Sequence, residues 1–229
     1  KERKKDKEID LRSYSEFGTQ RMLKIFSRTI VLLVGLGFAG LGLAAGDPAA
    51  GKDQSMACAA CHGQDGASGL DGTYPNLAGQ NEKYLLHQLK LIQSGERPIL
   101  LMTGQLTDKT EQSLADMAAY YASLPAKTGQ ATGSDEEIAK AQQIYRGGIA
   151  SKNVAACSAC HSPTGVGNAQ AGFPRISGQS PEYTTVQLTA YRESQRSSDD
   201  HVGGMMRGVA HGLTDGEIAV LADYLQGLN

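Results

Sequence analysis

The chain has no tryptophan, and aromatic residues make up only 6% of its 229 positions. A small domain with so few large side chains has trouble filling a core of its own. There is no basic surplus: the formal net charge is −2. Residues 1–44 carry nine Lys/Arg against five Asp/Glu, which leaves 13 basic and 19 acidic residues in the remainder. A mildly acidic body argues against nucleic acid as a partner and admits docking to a positively charged one. No stretch alternates apolar and polar residues as a half-buried strand would. No acid/base or nucleophile constellation stands out.

Cysteine is scarce as well. All four fall in two five-residue stretches, Cys58-Ala59-Ala60-Cys61-His62 and Cys157-Ser158-Ala159-Cys160-His161. CxxCH is the attachment signature of c-type haem. On a helical turn, residues i, i+3 and i+4 share one face. Two thiols can then add to the two vinyl groups of one porphyrin while the adjacent imidazole reaches the iron. Cys58, Cys61, Cys157 and Cys160 are therefore the expected haem-binding residues, and His62 and His161 the expected iron ligands, for two covalently attached haem c groups. Such groups would also supply the apolar bulk that the composition lacks. A redox disulfide or half a zinc site is the competing reading of each CxxC. A dithiol needs no histidine after its second cysteine, yet one follows both times. A four-sulfur zinc site would leave both histidines without a role.

Ahead of these motifs, residues 1–28 are charged and polar, 29–45 are apolar, and Gly46-Asp47-Pro48 follows. This order reads as a secretory signal peptide over 1–44, cleaved after Ala44. An uncleaved anchor giving loose membrane association is the alternative, although the apolar run is at the short end for a span. The run contains Gly35-Leu36-Gly37-Phe38-Ala39-Gly40, a formal dinucleotide fingerprint. Without a βαβ pattern around it or an acidic residue about 20 positions on, it is not a nucleotide site.

From residue 45 the chain is an internal repeat. Cys58, Cys61 and His62 recur 99 positions later, and so do Pro75, Gly79-Gln80, Tyr84, Gln88-Leu89 and Arg97, as Pro174, Gly178-Gln179, Tyr183, Gln187-Leu188 and Arg196. The offset then becomes 104, which places five extra residues in the second copy near 197–204. The repeat divides the chain into a first domain at 45–124, a linker at 125–134 carrying Pro, Gly and Thr, and a second domain at 135–229. Asp47-Pro48 reads as an N-cap with proline at the first position. Ser134 with Glu137, and Thr214 with Glu217, read as capping boxes. Asn81 and Ser180-Pro181-Glu182 read as matching helix starts. Ile218, Leu221, Ala222, Leu225 and Leu228 form an apolar stripe that Leu114, Met117, Ala118, Tyr121 and Leu124 repeat. The expected fold class is all-α, with two tandem units of a few short helices.

The sixth iron position decides the chemistry: filled by a protein side chain it suits electron transfer, open it suits binding small molecules. Met102 precedes Tyr120 by 18 residues, and Met206 precedes Tyr224 by 18. Met102 is therefore paired with His62, and Met206 with His161. Met205 and His201 are the alternatives in the second copy. Met117 lies on the core stripe, where a packed methionine is expected. His87 and His211 have no counterpart in the other copy; a helix surface and a loop are their expected places. A metal-bound histidine usually donates its other N–H to a carbonyl or carboxylate, and the recurring Pro75 and Pro174 supply candidate carbonyls.

These stretches, with Tyr74-Pro75-Asn76-Leu77-Ala78-Gly79-Gln80, Met102-Thr103-Gly104, Gly172-Phe173-Pro174, Met206-Arg207-Gly208-Val209-Ala210 and Tyr224-Leu225-Gln226-Gly227-Leu228, make the chain similar to the di-haem cytochromes of the cytochrome c4 type, built from two class I cytochrome c domains. The resemblance covers about 45–229. It implies a periplasmic electron shuttle between a respiratory donor, such as a cytochrome or a copper protein, and an acceptor such as a terminal oxidase. It also implies two haems facing across a pseudo-two-fold interface with propionates close together. The loop Gln105-Leu106-Thr107-Asp108-Lys109-Thr110 departs from the pattern in lacking a proline, and the N-terminal extension is long. With both axial positions of each iron filled, the chain reads as an electron carrier and not an enzyme. A di-haem peroxidase is the alternative, disfavoured because it needs two unlike haems and the two methionine environments are alike. A cytochrome subunit of a dehydrogenase complex is the third reading.

Overall fold

Local side-chain chemistry starts most of the helices. In the computed structural model, which describes residues 45–102 and 104–228, Asp47 Oδ1 accepts from the Ala49 N–H at 2.8 Å and Pro48 opens α1, Pro48–Gln54. A 3₁₀ turn, Met56–Cys58, leads into the single-turn α2, Ala59–His62. Then come α3, Glu82–Ser94, and α4, Glu111–Ser123, the latter capped by the Thr110 hydroxyl. The second copy opens with α5, Asp135–Gly147, on the expected Ser134–Glu137 capping box. It continues through α6, Ser158–His161, α7, Pro181–Arg192, α8, Met205–Ala210, and α9, Asp215–Gly227, the last on the Thr214–Glu217 box. Extended pairing among the described residues is limited to two isolated bridges, Ile149 with Val154 and Asn168 with Phe173. The fold is all-α. The leader and its glycine run at 1–44 lie outside the described residues.

The apolar stripes read from the sequence are the core. In the first half, α3 and α4 face each other through Leu85, Ala118 and Tyr121, with a second cluster of Leu106, Leu114 and Met117 beside it. In the second half, Ile144, Tyr145, Ile218, Leu221 and Leu225 join α5 to α9, and Leu188 of α7 packs on them. Leu114, Ile218 and Leu221 are at most 2% exposed; each such side chain contributes about 1.5–3 kcal/mol. α1 lies across α4, and only glycine fits at the crossing: a Cβ on Gly51 would stand 2.0 Å from the Asp116 carbonyl oxygen. The buried Asp116 carboxylate ties the two helices by accepting from the Asp47 N–H at 2.8 Å and from Gln54 Nε2 at 3.3 Å. The stretch where the sequence places the extra residues of the second copy holds a 3₁₀ turn, Asp200–Val202, clasped to α8 by Asp199, whose carboxylate accepts from Arg207 Nε at 2.7 Å.

The last helix is held at its start by one acid. Lys152 Nζ lies 2.8 Å from both carboxylate oxygens of Glu217, and Oε2 also accepts from the Thr214 N–H at 2.8 Å. Burial alone would raise the Glu217 pKa; Lys152 and the Thr214 donors outweigh it and hold the carboxyl below its ordinary value. A depressed folded pKa gives stability that is fully present above the unfolded pKa and is lost as pH falls through the folded one. Glu217→Gln is expected to cost about 2 kcal/mol near neutral pH, and its deficit against the parent protein to shrink as pH falls below the ordinary carboxylate range and to vanish once the depressed folded pKa has been passed. Urea denaturation at neutral and at acid pH checks both halves of this expectation.

Between the two copies runs a polar seam made of reciprocal bonds. Asn76 N–H donates to Gln179 Oε1 at 2.8 Å, and Arg175 N–H donates to Gln80 Oε1 at 2.7 Å. Asn81 Nδ2 reaches the Phe173 carbonyl, and Ser180 Oγ the Gly72 carbonyl. Further along, α3 and α7 bring Arg97 and Arg196 together, 7% and 8% exposed. Arg97 donates to Gln88 Oε1 in its own half and to Tyr183 Oη and Gln187 Oε1 in the other, at 2.8, 3.0 and 3.2 Å. Arg196 mirrors it on Gln187, Tyr84 and Gln88, at 2.7, 3.1 and 2.9 Å. Burial would raise the Tyr84 pKa, but the guanidinium charges of Arg196 and Arg97 bring it below the ordinary value. An interface in which residue i meets j and j meets i is what two like copies form about a two-fold axis.

Candidate haem sites

Each CxxCH motif forms one helical turn whose first cysteine is the N-terminal flanking residue. Cys58 precedes α2 and Cys157 precedes α6, and the turns end on His62 and His161. The chain must leave each turn sharply. Gly63 does so at φ 81°, where a Cβ would meet the Ser68 carbonyl oxygen at 2.5 Å. Ser162 takes the same left-handed φ, 67°, in the second copy, and the hydroxyl of the fully buried Tyr145 donates to its carbonyl. No disulfide joins the four cysteines. Burial pushes the Cys58 thiol up, against a smaller opposing hydrogen bond with Tyr121, and pushes Cys157 up to about 11. Among the described residues no three of His, Cys, Asp and Glu gather as a metal cage, so the two CxxC pairs are not halves of one zinc site.

Both histidines are buried, at 6% and 7% exposure. His62 Nδ1 lies 3.0 Å from the Pro75 carbonyl oxygen, and His161 Nδ1 lies 2.9 Å from that of Pro174. A carbonyl only accepts, so Nδ1 carries the proton and Nε2 keeps its lone pair. Burial, the larger influence, pushes both imidazoles below their ordinary pKa, and the prolyl carbonyls offset part of that. Tyr74 stands edge-on to the His62 ring at 6.2 Å between centroids, and Phe173 lies 6.4 Å from the His161 ring. Two thiols and a neutral imidazole with its Nδ1 anchored are the donor set that a c-type haem takes.

The candidate methionines lie in a 3₁₀ turn of the first half and a short helix of the second. Met102 closes the 3₁₀ turn Leu100–Met102, half-buried against Leu106, Leu114 and Met117. Met206 is half-buried in α8, beside the more exposed Met205. Met117 is a core residue, 2% exposed. His201, the alternative ligand, is engaged elsewhere: its Nε2 lies 2.9 Å from Glu96 Oε2, and its ring packs edge-on against His87. His211 is exposed at the end of α8. Sequence reasoning gave no role to Gln80 and Gln179, whose side chains span the seam. The signal was present, because both recur at the offset of the haem motifs.

The sequence pattern of the cytochrome c family matches residues 48–138 and again 138–229. Cytochrome c4 of Pseudomonas aeruginosa is 44% identical over 200 residues, 87% of this chain and 98% of that protein. Cytochrome c4 of Azotobacter vinelandii is 42% identical over 211 residues, again 87% of this chain and 98% of that one. The crystal structure of reduced recombinant cytochrome c4 from Pseudomonas stutzeri superposes with a TM-score of 0.77 at 41% identity, covering 81% of this chain and all of that one.

Proposed function

The chain belongs to the cytochrome c4 family, carries two covalent haems and carries electrons, and from that premise we propose that it works in the periplasm, taking electrons from a respiratory donor and passing them to an acceptor such as a terminal oxidase. The observation that carries the reading is the duplicated geometry of His62 on Pro75 and His161 on Pro174. When bound, the haem iron supplies a one-electron couple. His62 and His161 would each hold a haem iron through Nε2, and their anchored Nδ1 protons keep the rings from turning. Met102 and Met206 would be the second protein ligands of the two irons, which would leave no position for a substrate, so that the protein has only to orient its partners. The haem units run 45–124 and 135–229, joined by 125–134. The donor is a cytochrome or a copper protein, and the acidic surplus of 45–229 favours a positively charged docking face on it. Support for the periplasm comes from the leader pattern at 1–44. Among the described residues no helix is long and apolar enough to cross a membrane.

The ligand assignment has a direct test. In the reduced protein a methionine methyl bound at iron lies over the porphyrin ring and resonates far upfield in the proton NMR spectrum. Two such signals are expected. Met102→Ala should remove one and Met206→Ala the other, while Met205→Ala keeps both. Retention of both signals in either of the first two variants would refute that assignment.

A further inference from the structure

The seam does more than hold two halves together, because its glutamines act on the very peptide groups that anchor the axial histidines. The carbonyl of Pro75, which accepts from His62 Nδ1, and the N–H of Asn76 belong to one peptide unit. That N–H donates across the seam to Gln179 Oε1 at 2.8 Å, and Gln179 Nε2 returns to the Asn76 carbonyl at 3.1 Å. The second copy does the same in reverse. The Pro174 carbonyl accepts from His161 Nδ1, the Arg175 N–H of the same unit donates to Gln80 Oε1 at 2.7 Å, and Gln80 Nε2 donates to the Arg175 carbonyl at 2.7 Å. Each glutamine oxygen also accepts from the next N–H of its own chain, Ser180 at 3.1 Å and Asn81 at 2.8 Å. Gln80 is 7% exposed, so water does not compete for its contacts.

From this crossed arrangement we propose that Gln80 and Gln179 are positioning residues for the opposite haem: Gln179 tunes the first and Gln80 tunes the second. A peptide group is a resonance hybrid. Donating its N–H to a strong acceptor shifts electron density onto its own carbonyl oxygen, and hydrogen bonds in such a chain strengthen one another. The Pro75 carbonyl then draws harder on the His62 Nδ1 proton, which raises the basicity of the imidazole as a ligand. A more basic ligand favours the oxidised iron and lowers the reduction potential. The chain Gln179, peptide 75–76, His62 thus sets one potential from the other half of the molecule, and Gln80, peptide 174–175, His161 sets the other.

The inference rests on His62 and His161 being the axial imidazoles, and the test separates the two. Redox titration of the di-haem protein, followed by proton NMR that resolves the methyl signals of each haem, yields two midpoints. Gln179→Met keeps bulk and removes the acceptor. It should raise the midpoint of the haem on Cys58 and Cys61, shifting its oxidised-to-reduced ratio at fixed potential by roughly threefold, about 28 mV for a one-electron couple, and leave the other unmoved. Gln80→Met should do the converse. Gln179→Glu keeps an oxygen facing the Asn76 N–H and should hold the midpoint at or below its starting value. Tyr183→Phe, which loses the Arg97 bond but touches neither peptide, should shift neither midpoint. Equal shifts of both haems, a shift on the same side as the substitution, or no shift in either Met variant would overturn the proposal. If one Met variant does not fold, its counterpart and the glutamate variant carry the same test. Failure of the ligand assignment looks different: the unsubstituted protein would then lack the low-spin spectrum of imidazole-ligated haem.

Discussion

Replacing Cys157 and Cys160 together by alanine should yield a protein with one haem per chain, and haem absorbance should fall by half. Each motif places its two thiols and its histidine on one helical turn, and the two motifs share no residue, so the first site has no need of the second for attachment. The second half should suffer beyond the loss of colour. Cys157 packs against the cluster built on Tyr145, Ile218 and Leu221, and a chain with no tryptophan and 6% aromatic residues has little else to fill that space. Loss of packed apolar volume from a core costs about 2–5 kcal/mol per large side chain, and a porphyrin is larger than any of them. Calorimetry should therefore show the first half melting near its usual temperature and the second well below it. A pyridine haemochrome assay with intact mass counts the haems. Two haems retained in the double variant would end the assignment of the second site.

The features legible from sequence are those set by neighbours along the chain. Asp47, Ser134 and Thr214 cap the helices they precede, because a cap needs only its own next three residues. Asn81 shows where that logic stops. It does start α3, but its side chain makes no cap bond and reaches the Phe173 carbonyl across the seam instead. His201 is a second instance: its partner Glu96 is 105 residues away, and no local pattern announces it. Most informative is the list of residues recurring at the offset of 99. Read as a duplication, it located the haem motifs and the two prolines. Gln80, Tyr84, Gln88 and Arg97, with their copies, are all seam residues. Two copies that meet about a pseudo-two-fold axis must keep the same polar groups on both sides. A repeat that conserves polar residues off its own helix caps is therefore a sign of self-association, a sign the sequence held and local reasoning did not use. The methionines remain the least constrained, since spacing alone chose Met206 over Met205 and both lie on one short helix.

The other large effect concerns the crossing of α1 and α4, where one alanine should unseat the first helix. On intrinsic propensity Gly51→Ala is favourable, by about 1 kcal/mol in a helix interior. Packing opposes it. The new Cβ would stand 2.0 Å from the Asp116 carbonyl oxygen and 2.9 Å from the Tyr120 Cβ. The nearest atom is backbone, so no rotamer change relieves the clash, and the helices must part. Parting them loosens the bonds from the Asp47 N–H and Gln54 Nε2 to Asp116. Overpacking of this kind costs about 1–3 kcal/mol, and the lost bonds add about 1 kcal/mol each. The net expectation is a loss of about 3 kcal/mol, a fall in Tm of roughly 6–12 °C for a chain of this size. Gly216 is the matching control, because it lies in α9 with nothing within 4 Å of its would-be Cβ. Gly216→Ala should raise stability by up to about 1 kcal/mol. The same methyl group thus acts with opposite sign at two helical glycines. Equal melting temperatures for Gly51→Ala and the parent protein would mean that α1 does not lie against α4 as described.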